Sequence, residues 1–218
     1  PRSISGFSAL YRSIAAKIVD AAVEKGEVDF ISDMASLLPL HVISELLGIP
    51  EEDRTRVLAW TNLITVPLDP STLPSPKEFE DALEGLWSYG RKIAELRRRN
   101  PDAGIMAAVA QGHADGRISD DEVEGYMFNL ATAGNETTRN SIAFGLHALL
   151  LRPDQMAHLR RTGTMPESAI EEMLRWSSPT LHTVRTPTED VEIHGQKIRE
   201  GDAVALLLSS ANFDSAVF

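Results

Sequence analysis

At 218 residues, 43% hydrophobic and 24% charged, the chain is composed like an ordinary globular protein with enough apolar material for a substantial core. Its 21 Lys and Arg against 32 Asp and Glu leave a net charge of −11, the wrong sign for a nucleic-acid partner, which is normally met by a basic surface. With no cysteine, the chain itself holds no disulfide, thiolate nucleophile or thiolate metal ligand.

The opening PRSISGF has no charged-then-apolar leader and no initiator Met, and reads as the start of a fragment of an acidic cytoplasmic protein. Phe7, Leu10, Ile14, Ile18 and Ala21 then recur at steps of three and four up to Gly26, which predicts an amphipathic helix. A second helix, SDMASLLPLHVISELLGIP, ends at Gly48 and Pro50, with Pro39 kinking or dividing it. Pro50-Glu51-Glu52-Asp53 opens a third, its acids at the positive end of the dipole. Pro67, Pro70, Pro74 and Pro76 mark a loop, after which Phe79, Leu83, Leu86, Gly90, Ile93 and Leu96 trace a helix closed by Arg97-Arg98-Arg99, a run read as a solvated helix end.

A short helix follows, roughly Ala103–Gln111. Ser119-Asp120-Asp121-Glu122 is a capping box, and helix-compatible sequence runs from it to Leu151, where Arg152-Pro153 stops it; that length is on the order of 50 Å. Two more helices are expected near Asp154–Arg161 and Glu167–Trp176, and short strands over residues 183–208, including the apolar run Ala203–Leu208, which is far shorter than the roughly 20 residues a membrane span needs. The expectation is a mainly α protein with a small β region: one domain over 1–218, with a helical core over 1–178 and a β-hairpin region over 183–210.

Three stretches could carry chemistry. On the long helix, Ala133, Gly134, Thr137 and Thr138 fall at spacings of three and four and share a face. Gly134 costs the helix about 1 kcal/mol against Ala. Small side chains there leave room for something flat, Thr137 can bond back to the carbonyl of Ala133 and loosen the helix, and the adjacent Glu136 makes an acid–alcohol pair able to deliver protons. The alternative is a tight helix–helix crossing at Ala133 and Gly134, with Glu136 and Arg139 solvated. Glu172 and Arg175 stand at i, i+3 and can pair, as surface residues commonly do. Arg185 enters the strand region as an exposed charge or as the partner of a buried carboxylate. The six histidines show no metal-binding spacing, and no Gly-rich phosphate loop is present.

In this order and spacing, Ala133-Gly134-x-Glu136-Thr137-Thr138, Glu172-x-x-Arg175, Arg185 ahead of a hairpin, and SSANFDSAVF resemble the cytochrome P450 family of haem-thiolate monooxygenases. LLGIPEED is similar to bacterial members. The resemblance implies an incomplete cytochrome P450 fold with haem b as cofactor. It implies that Glu136 and Thr137 relay protons to iron-bound dioxygen, and that Ala133 and Gly134 let the helix lie against the haem. It further implies that Glu172 and Arg175 form a buried structural pair and that Arg185 binds a haem propionate. Ferredoxin and an NAD(P)H-dependent ferredoxin reductase would supply electrons, and a small hydrophobic molecule would be the substrate. Family members carry the iron-ligating cysteine in a loop beyond the region matched here, so the axial ligand is absent from these residues and the chain is read as a central fragment. Asn135 and Phe213 are similar to the subgroup that oxidises steroids, terpenoids or long aliphatic chains. The other class of function is a non-catalytic partner or scaffold; the Glu136–Thr137 pair favours the enzyme, since a scaffold needs neither.

Overall fold

The computed structural model describes residues 7–65, 73–100 and 104–218. Pro67, Pro70, Pro101 and Ala103 lie outside the described residues. The chain falls into two compact units, Pro1–Arg139 and Asn140–Phe218.

In the first unit, α1 (Ser8–Lys25) stops at Gly26, whose φ of 81° suits a residue without a side chain. A π-helical turn, Ile31–Ala35, precedes α2 (Leu37–Leu47). Pro39 thus goes with a division of the expected helix, which breaks at Ser36 into the irregular turn and α2. It sits in the first turn of α2, where its missing N–H would have had no intrahelical partner, and the irregular turn comes before it. Gly48, at φ 69°, closes α2, and α3 (Glu51–Ile64) starts with three acids in its first turn.

Helix α4 (Pro76–Arg99) is capped reciprocally: Ser75 N donates to Glu78 Oε2 at 2.8 Å and Glu78 N to Ser75 Oγ at 3.3 Å. Its arginine end is not uniformly solvated, as the sequence suggested. Arg98 and Arg99 pair with Glu95, but Arg97 is half-buried and donates from Nη2 to the Gly48 carbonyl at 2.6 Å, joining the end of α4 to the end of α2. Helix α5 (Ile105–Ala114) is followed by α6 (Asp120–Leu150), opened by the predicted Ser119–Glu122 box with bonds of 2.8 and 3.2 Å. Leu47, Leu86, Ile93, Met106 and Met127 are fully buried at the centre of this unit.

The second unit holds the end of α6, then α7 (Pro153–Thr162) and α8 (Glu167–Ser177). Strand β1 (Thr183–Arg185) pairs antiparallel with β4 (Val204–Leu206), and β2 (Val191–Ile193) with β3 (Gln196–Ile198). A short α9 (Leu208–Asn212), not foreseen in the sequence, follows. No helix among the described residues is long and apolar enough to cross a membrane.

Gly90 sets how closely α6 lies to α4: a Cβ there would stand 2.7 Å from Met127 Cβ. Gly90→Ala should lower stability by about 1–3 kcal/mol. Gly125→Ala on α6, which meets nothing within 4 Å, should instead raise it, by about 0.5–1 kcal/mol. Urea midpoints read both, and equal effects at the two positions would refute the packing account of Gly90.

Candidate functional site

Three side chains of α6 bond back to carbonyls one turn earlier: Asn129 Nδ2 to Gly125 at 2.8 Å, Thr132 Oγ1 to Phe128 at 2.7 Å, and Thr137 Oγ1 to Ala133 at 2.8 Å. The bond expected of Thr137 forms, but α6 stays α-helical through it, so the hydroxyl is anchored without breaking the helix.

The four small and hydroxyl residues do not act as one face. Gly134 meets α2: a Cβ there would lie 3.0 Å from Ile43 Cδ1, which makes Gly134 the helix-crossing residue of the alternative reading. Ala133 and Thr138 are exposed, Thr137 and Glu136 are half-buried, and Asn135 is buried. Gly134 thus serves packing, while Ala133 and Thr137, one turn apart, form a low, open strip.

Glu136 is not simply solvated. Its Oε1 lies 3.2 Å from Arg139 Nη2, and Arg139 Nη1 reaches Asn62 Oδ1 on α3 at 3.4 Å. The carboxylate remains 34% exposed, so water reaches it. Asn62 lies 77 positions from Arg139, and no sequence spacing signals that contact. Asn135 Oδ1 and Ser44 Oγ are buried without a hydrogen-bond partner among the described residues.

In the second unit, Glu172 and Arg175 come together in a bidentate pair, Nε to Oε2 at 2.7 Å and Nη2 to Oε1 at 2.8 Å, while Arg175 Nη1 donates to the Asn212 carbonyl at 2.6 Å. The expected burial is uneven, with the Arg175 side chain 18% exposed. Glu172 is 60% exposed, because it stands at the edge of an open cleft of about 490 Å³ whose lining includes Arg152, Met173 and Trp176. Arg185, on β1, is exposed and donates from Nη1 to the Val184 carbonyl at 2.9 Å; among the described residues it pairs with no carboxylate.

Taken unit by unit, the residues have chemistry that suits parts of a haem. The strip at Ala133 leaves room for a flat ring, Thr137 offers an anchored hydroxyl, and Arg185 presents a guanidinium suited to a carboxylate. No cysteine is present to supply an iron thiolate. Among the described residues, no group of three His, Asp or Glu side chains could hold a metal ion instead.

No family model matches the chain. A steroid C26-monooxygenase of Mycolicibacterium smegmatis is 40% identical over 222 residues, covering 100% of this chain and 50% of that protein. A methyl-branched lipid omega-hydroxylase of Mycobacterium tuberculosis is 34% identical over 224 residues, covering 100% of this chain and 52% of that protein. A Mycobacterium marinum cytochrome P450 solved with pseudoionone superposes with a TM-score of 0.90 at 33% identity, over 100% of this chain and 54% of that one. The chain therefore spans about half the length of the curated relatives it matches.

Arg175, gripping both carboxylate oxygens, holds Glu172 below the ordinary glutamate range against a weaker opposing effect of burial. A depressed folded-state pKa stabilises the fold above the unfolded value of about 4.3, and that stability is lost as pH falls through the folded value. Followed by NMR, the Glu172 carboxyl carbon should titrate with a midpoint below about 4.3, returning to that range in Arg175→Gln. An ordinary midpoint in the parent chain would show that the pair is loose in solution.

Proposed function

We propose, from the premise that this chain belongs to the cytochrome P450 family, that it forms the oxygen-side portion of a haem-dependent monooxygenase. One atom of dioxygen enters a C–H bond of a hydrophobic substrate and the other leaves as water, so protons must be delivered where the oxygen is bound. Haem b, when bound, supplies the iron at which dioxygen is reduced. Its thiolate has to come from outside these 218 residues.

The observation that carries the reading is Thr137, its hydroxyl anchored at 2.8 Å on the Ala133 carbonyl beside an exposed alanine. The anchor fixes Oγ1 at the open strip of α6 and commits its one proton to the carbonyl, so that its lone pairs accept from a group lying against Ala133, and it passes a proton on when it turns from the carbonyl. Glu136, in contact with water and held by Arg139, replenishes protons to that hydroxyl. Gly134 acts behind the strip by seating α6 on Ile43. Arg185 receives a propionate through its guanidinium, and Glu172 with Arg175 braces the second unit.

The relatives are named for steroids and methyl-branched lipids. A substrate with a steroid, terpenoid or long aliphatic skeleton is accordingly proposed here. Electrons come from a ferredoxin and an NAD(P)H-dependent ferredoxin reductase, in keeping with the lack of a Gly-rich phosphate loop, and the protein works in the cytoplasm.

The test joins this chain to the flanking segments of the Mycolicibacterium smegmatis relative. The hybrid should bind haem, give the carbon monoxide spectrum of thiolate-ligated iron and oxidise a steroid side chain. Thr137→Ala in it should cut product formed per reductant consumed by roughly tenfold or more, with the balance released as hydrogen peroxide, and Thr137→Ser should restore coupling. Unchanged coupling in Thr137→Ala would remove the proton-delivery role.

A further inference from the structure

The Glu172–Arg175 pair is unevenly covered: the Arg175 side chain is 18% exposed and that of Glu172 60%. An exposed carboxylate at i, i+3 exchanges among rotamers, yet each of the three guanidinium nitrogens makes a bond: two to Glu172 and one to the Asn212 carbonyl. The flat face of a guanidinium is weakly hydrated and stacks on aromatic rings. Arg175 Cζ lies 5.3 Å from the Phe213 ring centroid and 5.0 Å from that of Phe218.

Phe213 is itself held from behind. Its ring packs against Trp176 at 5.5 Å with a tilt of 59°, and the Arg152 guanidinium covers Trp176 at 4.7 Å. Arg152, Trp176, Phe213 and Arg175 thus alternate as cation, ring, ring, cation. The backbone delivers Phe213 to this place, since Asn212 is tied to the end of α8 twice: its carbonyl accepts from Arg175, and its Nδ2 donates to Ser178 Oγ at 2.7 Å. Ser178 is buried and held at φ 39°, an uncommon conformation for a residue with a side chain. Phe213 is 50% exposed, so core packing does not account for its position.

We infer that Phe213 is a positioning residue for Arg175, holding the guanidinium in register with the exposed Glu172 by stacking on its face. The inference rests on the proposed role of the Glu172–Arg175 pair as the brace of the second unit. It predicts that an apolar side chain of similar bulk without a ring will not substitute for phenylalanine.

The test is NMR of the 218-residue chain with labelled arginine. In the parent, the Arg175 δ-methylene protons should be moved upfield by the rings. Ordinary positions would overturn the inference whether or not any variant folds. Phe213→Leu should speed solvent exchange of the Arg175 Nε–H by roughly three- to tenfold, and Phe213→Tyr should keep it near the parent value. Unchanged exchange in a folded Phe213→Leu, checked by circular dichroism, would also overturn it. Haem uptake by the hybrid enzyme separates the two readings: Phe213→Leu that frees Arg175 yet loads haem normally supports the positioning role and refutes the pair's role as a brace.

Discussion

Everything proposed for α6 depends on how deeply one side of that helix is seated in the first unit. Val123, Met127, Ala131 and Asn135 recur every four residues and are all buried, while Tyr126, Asn129 and Ala133 on other sides are exposed. Two glycines set the depth, Gly90 against Met127 and Gly134 against Ile43. A methyl group at either place would have to push a neighbour aside. Burial of the spine also explains Asn135. It continues the apolar stripe as a polar residue, so its Oδ1 is carried into the interior along with the rest of that face.

The two units are held by different physics. In the first, an apolar core joins α2 to α6, and polar contacts tie the helices around it; the Tyr89 hydroxyl donates at 2.8 Å to Asp53, which also pairs with Arg56. In the second, among the described residues, only Gly145 and Ser178 are buried, so hydrophobic burial contributes little. What organises it is directional: strand pairing, the bidentate Glu172–Arg175 pair, the two bonds of Asn212, and guanidinium faces stacked on rings. A brace in such a unit is fixed by geometry of contact more than by exclusion of water.

The features legible in the sequence are those whose two partners lie within one helical turn. The Ser119 box, the Thr137 bond to Ala133 and the Glu172–Arg175 pair follow from spacing alone, and the helix ends follow from Gly26, Gly48 and Pro153. Contacts between elements were not legible. Arg97 finds Gly48 across 49 positions and Arg139 finds Asn62 across 77, and a run of three arginines gives no sign that one of them turns inward. Gly134 shows the ambiguity clearly: its small size suits room for a ligand and, more simply, a crossing point, and the position of Ile43 favours the crossing. Helix α9 escaped notice because SSAN has no apolar period and weak helix propensity, so it forms where its surroundings hold it.

The crossing at Gly134 changes how the acid–alcohol motif is to be understood. If Ala133 and Gly134 together faced a ligand, the motif would be a single patch whose parts vary as one. Instead Gly134 is bound to α2 and Ala133 is open, so helix seating and ligand access are set by neighbouring residues on different sides of the same turn. Glu136 and Thr137 are divided in the same way. The hydroxyl is anchored within α6 and keeps its place wherever the helix goes, whereas the carboxylate is held by Arg139, whose other contact is Asn62 on α3. Under the proposed function, the hydroxyl at the end of the proton path is therefore fixed locally, and the supply of protons to it depends on how α3 packs against α6.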